Sequence, residues 1–367
     1  MNSMVEIFHT GEARAWNGEL ATLPLDKRQV GFLAEYHHLL ECNGDGCAEL
    51  FVYTEGDHKF LYPYMLNPIK RIGETEITDE LYDIQSVYGY TGPIASVRDE
   101  AFLRRANDAF EAYVRDRHVV AEFVRFNPLL QNQELLPFAE NLRTFPDKTF
   151  VFRPLDGTVN TLWDSIVPGK KRRCLRNCCK QADESSEVAW GCDTSREVFD
   201  AFVALYLKHM EHIGADDYYS HSPAYFEALY EFLQTRGTLV WMRYQGRFTA
   251  INCYIHEGAT VYYHHSARDV ELNAPAYLQS AHFMNGLLHF VGKGFNQCLL
   301  GGGRTRDDDD SLLRFKLAFS KETAGLFLGK RIHDPVQYER ICELWAREFP
   351  HLTEKRGSLV LRYRFEV

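Results

Sequence analysis

The hydrophobic and polar positions of the first half predict strands and helices that alternate along the chain. Two apolar runs, Ala48–Tyr53 and His58–Leu66, flank a short acidic turn with one glycine and predict a β hairpin. A helical stripe then extends from Arg98 to Arg117. The near-continuous apolar segment Val119–Phe126 follows, which is typical of a strand buried on both faces.

The second half shows the same kinds of pattern in a similar order. Its predicted elements are helices over Arg196–Ile213 and Pro223–Arg236, strands over Thr238–Tyr244, Arg247–Ile255 and Ala259–His265, a helix ending near Val291, and strands over Phe295–Leu300 and Leu326–Arg331. Both halves therefore contain a hairpin or meander, a long helix and a buried strand. We predict a duplicated architecture of class α/β with mixed sheets, in domains 1–156 and 157–367.

Composition and charge exclude several classes of protein. Of the 367 residues, 45% are hydrophobic and 14% aromatic, which is enough for two cores and excludes disorder. The net charge of -10 argues against DNA as a partner. No apolar run approaches the roughly 20 residues of a membrane-spanning helix, and the N-terminus lacks the pattern of a signal peptide. Nine scattered cysteines favour reduced thiols. We expect a cytoplasmic protein without a transmembrane segment, and leave peripheral membrane contact open.

The most concentrated positive charge lies in GKKRRCLRNCCKQA, residues 169–182, which is predicted to be a helix. Its candidate phosphate-binding side chains are Lys171, Arg172, Arg173 and Arg176. They suit the phosphates of a nucleotide, a lipid diphosphate or RNA, and the alternative is a solvated helix face. The cysteine spacing C-x3-C-C in this helix fits no standard zinc pattern, so no metal site is predicted.

A second distinctive stretch, CLLGGGRTRDDDDSLLRFKLAFS, combines a buried strand, three glycines, an acidic run and a helix. Gly302 and Gly303 let another molecule approach the backbone closely, and Arg304 follows at the end of the strand, where open α/β sheets tend to bind ligands. The alternative is a glycine-rich loop beside a solvated acidic run.

The helix at the end of this stretch has an apolar face. Leu312, Phe315 and Phe319 fall on that face, and Lys316 lies beside it. One of the preceding aspartates is expected to cap the helix N-terminus.

A loop rich in tyrosine and glycine precedes the long helix of the first half. Tyr88, Tyr90 and Gly92 are its candidate substrate-binding residues, because tyrosine offers a ligand both an apolar face and a polar tip. The alternative is that these tyrosines pack on the core. Arg125, inside the following buried strand, is another candidate, because a buried guanidinium requires a partner.

Four of these segments together resemble a known family. The order of YDIQSVYGYTGP, the basic helix, a strand meander and LGGGRTRDDDDSLLRFKLAFS is similar to that of the FemAB-type acyl- and aminoacyl-transferases, over roughly residues 45–335. That family includes peptidoglycan-bridge enzymes and acetyltransferases of polysaccharide gene clusters. The resemblance implies two tandem domains of the GNAT N-acetyltransferase fold, with the acceptor side in the first and the donor side in the second.

The resemblance also implies roles for particular residues. Phe315 and Lys316 match the family's Phe-Lys pair, which is implicated in donor binding and transfer, and Tyr90 and Gly92 match its acceptor-side loop. A usual GNAT domain holds the pyrophosphate of coenzyme A in a Q/R-x-x-G-x-G/A turn, whereas the matching place here reads SARDVELNAPAYLQSA. The coiled-coil arm found in some members charged by transfer RNA is also missing. The donor therefore stays undecided between acyl-CoA and aminoacyl-tRNA, with transfer RNA as a partner in the second case.

The expected reaction is direct acyl transfer in a ternary complex, since neither a G-x-S-x-G elbow nor a cysteine with an evident histidine partner is present. Lys316 or Arg304 is expected to stabilise the oxyanion or a donor phosphate. His264 and His265 end a central strand, one on each side of the sheet, and either is a candidate base titrating near neutral pH.

The expected acceptor is an amino sugar or peptide of a cell-wall or exopolysaccharide precursor, either a small molecule or linked to a lipid or nucleotide. Two alternatives stay open. One is a non-catalytic sugar-nucleotide-binding protein on the same fold, and the other is a general small-amine N-acetyltransferase.

Overall fold

The computed structural model of the chain describes residues 3–139 and 141–366. The strands of the described residues are, in chain order, β1 (Ser3–His9), β2 (Cys47–Glu55), β3 (His58–Pro68), β4 (Arg71–Ile72), β5 (Thr75–Glu76), β6 (Tyr82–Gln85), β7 (Ile94–Ala95), β8 (Val119–Arg125), β9 (Leu142–Pro154), β10 (Val188–Asp193), β11 (Gly237–Tyr244), β12 (Arg247–Glu257), β13 (Thr260–Arg268), β14 (Gln297–Gly302) and β15 (Thr323–Ile332). The α-helices are α1 (Ala13–Ala21), α2 (Ala34–Asn43), α3 (Glu100–Asp116), α4 (Val159–Asp164), α5 (Gly169–Glu184), α6 (Arg196–His212), α7 (Pro223–Arg236), α8 (Tyr277–Phe290), α9 (Ser311–Leu317), α10 (Pro335–Glu348) and α11 (Thr353–Arg356).

These residues form two compact units. Unit 1 comprises Met1–Lys27, Gly31–Asp147 and Gly325–Val367, and unit 2 comprises Arg28–Val30 and Lys148–Ala324. The predicted division placed all of 157–367 together, whereas the chain from Gly325 onward lies in unit 1.

Unit 1 is a mixed sheet with strand order β1-β2-β3-β6-β8-β15, covered on both faces. The hairpin β2–β3 is antiparallel, and β6 and β8 are parallel neighbours connected through α3. Successive residues of β8 face opposite cores, because side chains alternate along a strand. Val119 packs in the cluster that contains Phe110 of α3, and Val120 packs in the one that contains Trp345 of α10.

A buried polar network explains why the last part of the chain belongs to unit 1. Strand β15 pairs antiparallel with β8, and its Arg331 is 1% exposed. Glu122 of β8 lies 3.0 Å from His333 Nε2 and accepts a hydrogen bond from the hydroxyl of Tyr62. Burial raises the pKa of Glu122, but the charge of Arg331 and the bond to His333 outweigh it, so the pKa is about 2. The ionised carboxylate, through Arg331 and His333, therefore joins β15 to this core.

In unit 2, β10 to β13 form an antiparallel meander, and β14 adds parallel to β13 after α8. Helices α5 and α8 cover one face, where Leu175 and Met284 share a core with strand residues. Helices α6 and α7 cover the other face. As in unit 1, one helix connects two parallel neighbouring strands, so the predicted duplication of a mixed α/β unit is confirmed.

The parallel pair β13–β14 diverges along its length. Among the described residues its ladder joins Thr260–Tyr262 to Gln297–Leu299, although β13 continues to Arg268 and β14 to Gly302. Among the described residues, no ladder pairs the two strands beyond Tyr262 and Leu299, which leaves an opening between them. The glycine-rich stretch lies at the end of this opening.

Candidate active site

The end of β14 is shaped by its glycines. The register with β9 shifts between Leu299 and Gly301, which marks a β-bulge, and Gly301 has a φ of +81°. That backbone conformation favours glycine over other residues. Gly303 allows the chain to approach Asp310, since a Cβ on it would lie 2.6 Å from Asp310 Oδ1. The predicted ligand-facing turn is therefore a constrained turn and not a mobile loop.

One aspartate of the acidic run holds this turn. Asp310 caps α9, as its Oδ1 accepts the backbone N–H groups of Leu312 at 2.9 Å and Leu313 at 3.0 Å. Its Oδ2 accepts those of Arg304 and Thr305, both at 3.1 Å. These bonds, that from Leu313 foremost, lower the pKa of Asp310 to about 2. The same carboxylate thus connects the helix N-terminus to the glycine turn.

The substitution Asp310→Ala is expected to lower the free energy of unfolding by about 1–2 kcal/mol, because a helix cap and two turn bonds are lost together. Since the pKa of Asp310 falls from 3.8 to about 2 on folding, its contribution is complete above about pH 4 and is lost as the pH falls towards 2. Urea unfolding at pH 7 measures the effect. The control is Asp308→Ala, at an exposed neighbouring position, and an equal loss in both variants would contradict the capping role.

Lys316 of α9 is buried against the glycine turn. The residue is 7% exposed, and its Nζ donates a hydrogen bond of 2.8 Å to the carbonyl oxygen of Gly302. Burial lowers the pKa of this amine to about 7, with Asp310 raising it and Lys148 lowering it further. A protonation change near neutral pH therefore occurs at the end of β14.

A second lysine contacts the same turn. Lys148 Nζ donates a hydrogen bond of 2.8 Å to the carbonyl oxygen of Arg304. The sequence pattern did not single out Lys148, because nothing in its local surroundings distinguishes it from a lysine at the start of an ordinary strand. Arg304 itself is exposed and contributes its backbone to the turn.

The buried face of α9 differs from the predicted stripe. Leu313 and Lys316 are its buried residues, whereas Leu312 and Phe315 are partly exposed. Phe315 packs edge-on against Phe283 of α8, with ring centroids 5.2 Å apart. The helix starts at Ser311 and is only two turns long, so the side chain that fills the inner position is the lysine.

His264 and His265 lie on the same side of the sheet, contrary to the prediction of one on each side. The ladder between β12 and β13 shifts register between Cys253 and Tyr254, and the extra residue of this bulge falls at His264. The two rings are 3.9 Å apart between centroids, and both face the hydroxyl of Tyr225, at 2.9 Å from His265 Nε2 and 3.3 Å from His264 Nε2.

The expectation that these histidines titrate near neutral pH is wrong. Burial lowers the pKa of His264 to about 3, and burial together with the neighbouring His264 and His221 lowers that of His265 well below its usual value. His265 packs against Tyr206 of α6, whereas Leu313 of α9 belongs to the core on the α5 and α8 face. The structure therefore does not bring the histidines together with Lys316.

The four predicted phosphate-binding residues of α5 have different surroundings. Arg172 donates to the backbone and side-chain oxygens of Asp164 at 3.0 and 3.1 Å, and the guanidinium of Arg176 lies 5.3 Å from the ring centroid of Trp163. Arg173 is exposed. Lys171 instead lines a cleft. Two of the four candidates, Arg172 and Arg176, are thus engaged by the protein itself.

The loop before α8, within the segment that matches the pyrophosphate turn of a usual GNAT domain, contains a carboxylate of the chain. Asp269 Oδ1 accepts the backbone N–H groups of Glu271 at 3.0 Å and Leu272 at 3.1 Å. Its Oδ2 accepts a bond of 2.8 Å from Arg247. Two successive donors of the kind that bind phosphate are therefore already occupied.

In unit 1 the tyrosine loop is held by backbone contacts. Tyr36 donates from its hydroxyl to the carbonyl oxygen of Tyr88 at 2.8 Å, and Asn127 donates to that of Tyr90 at 3.2 Å. Gly92 has a φ of +79° and is buried. Tyr88 and Tyr90 are partly exposed.

Arg125 is only partly buried, contrary to expectation. Its guanidinium lies over the ring of Phe123, 4.8 Å from the centroid. The fully buried arginine in this region is Arg331 of β15.

Two general findings bear on ligands. Within residues 3–139 and 141–366, no helix is both long and apolar enough to cross a membrane. In the same residues, no group of three or more histidine, cysteine, aspartate or glutamate side chains is placed to hold a metal ion.

Comparison with known proteins agrees with this geometry. Residues 169–317 match the acetyltransferase (GNAT) domain family. The structure is similar to that of FemX, with a TM-score of 0.65 at 12% identity, over 93% of this chain and 100% of that one. It is also similar to the C-terminal DUF2156 domain of a protein named as a lysylphosphatidylglycerol synthetase from Agrobacterium fabrum (TM-score 0.56, 14% identity, 89% of this chain and 94% of that one). A tandem GNAT protein from the clavulanic acid biosynthesis pathway matches with a TM-score of 0.50 at 8% identity, over 91% of this chain and 99% of that one. No curated protein sequence matches the chain.

The fold is that of two tandem GNAT-like units, and the match of residues 169–317 to the acetyltransferase (GNAT) domain family supports an acyltransferase. The resemblance to FemAB-type transferases is confirmed at the level of the fold by the similarity to FemX along nearly the whole chain.

Proposed function

We propose that this protein transfers an acyl or aminoacyl group directly from an activated donor to the amine of an amino sugar or peptide in a cell-wall or exopolysaccharide precursor. The observation that carries this proposal is Lys316, a buried amine that contacts the carbonyl oxygen of Gly302 at the open end of β14. As an ammonium ion it would stabilise the oxyanion of the tetrahedral intermediate in a site of low dielectric. The acceptor amine attacks the donor carbonyl and forms the C–N bond. The bond between the carbonyl carbon and the donor's leaving group breaks when the intermediate collapses, and the proton that the amine loses passes to the leaving group or to solvent.

The acceptor and donor sides are assigned from the two units. The partly exposed Tyr88 and Tyr90, in a loop held by backbone contacts, support an acceptor site in unit 1. The acetyltransferase domain match in residues 169–317 supports a donor site in unit 2 and favours an acyl thioester, while the FemX-like fold keeps aminoacyl-tRNA as the second donor to test. Nine free cysteines support the reducing environment of the cytoplasm as its location.

The direct test is product formation. Purified protein is incubated with acetyl-coenzyme A or aminoacyl-tRNA and a panel of UDP-amino sugars and peptides, and products are identified by mass spectrometry. We expect a new amide in at least one pairing. Stabilisation of the protein by a sugar nucleotide without turnover with any donor would instead favour a non-catalytic binding protein.

The dependence of the rate on pH tests the charge of Lys316. Only the ammonium form stabilises an oxyanion, and the pKa of Lys316 is about 7. The ratio of kcat/KM between the wild type and Lys316→Met is therefore expected to fall about tenfold for each pH unit above 7. Ionisation of the acceptor affects both enzymes equally, so its effect cancels in this ratio. A ratio that rises with pH would show that Lys316 acts as a base, and a constant ratio between pH 6 and 9 would remove its charge from the mechanism.

A further inference from the structure

Lys316 of α9 is a buried amine without a carboxylate partner. Its Nζ donates a hydrogen bond of 2.8 Å to the carbonyl oxygen of Gly302. No carboxylate of the described residues lies within 4.0 Å of this amine. Asp310, the acidic residue whose charge acts on it, is engaged with backbone N–H groups of α9 and of the glycine turn. Burial without a paired counterion favours the neutral amine over the ammonium ion.

The charge of this amine changes near neutral pH. Burial lowers the pKa of Lys316 to about 7, while the charge of Asp310 raises it and that of Lys148 on β9 lowers it further. About half of the Lys316 side chains are therefore neutral at pH 7, whereas an ordinary lysine with a pKa of about 10.4 is almost entirely protonated. A neutral amine that donates one N–H to Gly302 keeps its lone pair for an electrophile, so Lys316 is a nucleophile as well as a cation.

Gly301 leaves space beside this nucleophile. A Cβ on Gly302 would lie 2.7 Å, and one on Gly303 2.6 Å, from atoms of neighbouring side chains. A Cβ on Gly301 would instead have a single non-neighbouring contact within 4 Å among the described residues, which is Lys316 Nζ at 3.2 Å. Gly301 is partly exposed and lies beyond the end of the β13–β14 ladder. The space left by its missing side chain therefore adjoins Nζ at the opening between the strands.

We propose that Lys316 is a self-acylation site, at which the neutral Nζ attacks the carbonyl carbon of an acyl thioester that approaches past Gly301. The N–C bond forms and the C–S bond of the thioester breaks. The electron pair of the broken bond leaves with sulfur, and the proton that nitrogen loses passes to the thiolate or to solvent. The product is a stable and uncharged amide.

This modification switches off the oxyanion-stabilising group. An amide does not become an ammonium ion, so an acylated Lys316 lacks the charge that would stabilise a tetrahedral intermediate. A bound acceptor amine competes with Nζ for the same carbonyl carbon, so self-acylation proceeds when the thioester is abundant and the acceptor is scarce. This regulation rests on the proposed function, whereas the reactivity of Nζ does not.

Mass spectrometry of the full chain tests the proposal. The protein is incubated without acceptor, with either acetyl-coenzyme A or S-acetyl-N-acetylcysteamine, a thioester that lacks the nucleotide, and acetylated lysines are mapped on its peptides. At pH 7 acetylation of Lys316 is expected to be at least about tenfold faster than that of Lys208, whose side chain is 61% exposed. The rate at Lys316 should level off above about pH 8, whereas acetylation of exposed lysines should continue to rise about tenfold per pH unit.

The substitution Gly301→Ala tests the approach to Nζ. The added Cβ would lie 3.2 Å from Nζ, and acetylation of Lys316 should slow at least about fivefold, because the attacking geometry is obstructed. The matched control is Gly292→Ala. Gly292 has a φ of +76°, against +81° for Gly301, but a Cβ there meets no described atom within 4 Å. This control should change the rate less than about twofold, and thermal unfolding confirms that both variants are folded.

Acetylation of Lys316 no faster than that of Lys208, or equal effects of the two glycine substitutions, would overturn the proposal. Turnover on an acceptor by a protein whose Lys316 stays unmodified when the acceptor is withheld would overturn self-acylation and leave the proposed transfer intact. Acetylation of Lys316 without turnover on any acceptor would support self-acylation while contradicting the proposed transfer. Modification by acetyl-coenzyme A but not by the truncated thioester would support self-acylation from a bound donor.

Discussion

Replacing Lys316 by methionine is expected to lower kcat for acyl transfer by about 100-fold, because removal of one preorganised oxyanion donor costs on the order of 10²–10³ in rate. Methionine keeps an unbranched apolar stem in a site where the native residue is 7% exposed, so the packing of α9 should survive. Binding of coenzyme A, measured by calorimetry, should change by less than about threefold, since the proposed role of Lys316 is to stabilise the oxyanion and not to hold the donor. Steady-state kinetics with the best donor and acceptor pair give the rate.

The matched control is Lys208→Met, which removes an ammonium group that is 61% exposed and 3.9 Å from Glu271. This variant should retain the wild-type rate, because the ionic contact of this exposed side chain is with Glu271 and not with the glycine turn. If Lys316→Met turned over within twofold of the wild type, Lys316 would have no part in the transition state. Thermal unfolding distinguishes a catalytic loss from a folding defect.

The same substitution should change how stability depends on pH. The pKa of Lys316 is 10.5 in the unfolded reference and about 7 in the folded protein, mainly because of burial. Between these values the unfolded chain binds more protons than the folded one, so the free energy of unfolding rises with pH across this window. The difference amounts to about 2–3 kcal/mol between pH 7 and pH 9. Lys316→Met lacks this slope and should be more stable than the wild type at pH 6.

Urea unfolding at pH 6, 7.5 and 9 measures the effect as the difference between the two proteins, so that other titrating groups cancel. A stability difference that is independent of pH would mean that Lys316 keeps an ordinary pKa in the folded state. A wild type that is more stable than the variant at pH 6 would mean that the buried ammonium is well compensated.

Most of the secondary structure could be predicted from the local sequence, because a long helix or strand repeats its pattern of apolar and polar residues several times. Helix α7 has the predicted bounds, Pro223–Arg236, with a serine cap and a proline in its first turn. The hairpin β2–β3 also agrees with its two apolar runs. Short strands escaped prediction: β6 has four residues inside a stretch interpreted as a loop, and β1 lacks a distinctive pattern.

The candidate site was only partly predictable for three physical reasons. A lysine beside an apolar stripe normally extends into solvent, so the burial of Lys316 could not be inferred from periodicity. A bulge of one residue in β13 places the side chain of His264 on the same side of the sheet as that of His265. The alternation of apolar and polar residues along a strand does not reveal such a bulge. Lys148 and Lys316 contact the same turn from positions that are distant in sequence, so only the fold brings them together.

The order of the two units along the chain has a consequence for biosynthesis. On a ribosome, residues 148–324 emerge as a nearly complete unit before the segment that finishes unit 1 has been made. Until then the edge of β8 lacks its partner β15, and the apolar face later covered by Trp345 of α10 is exposed. We therefore expect nascent unit 1 to bind a chaperone. A stalled chain that ends before residue 325 should aggregate through the unpaired edge of β8.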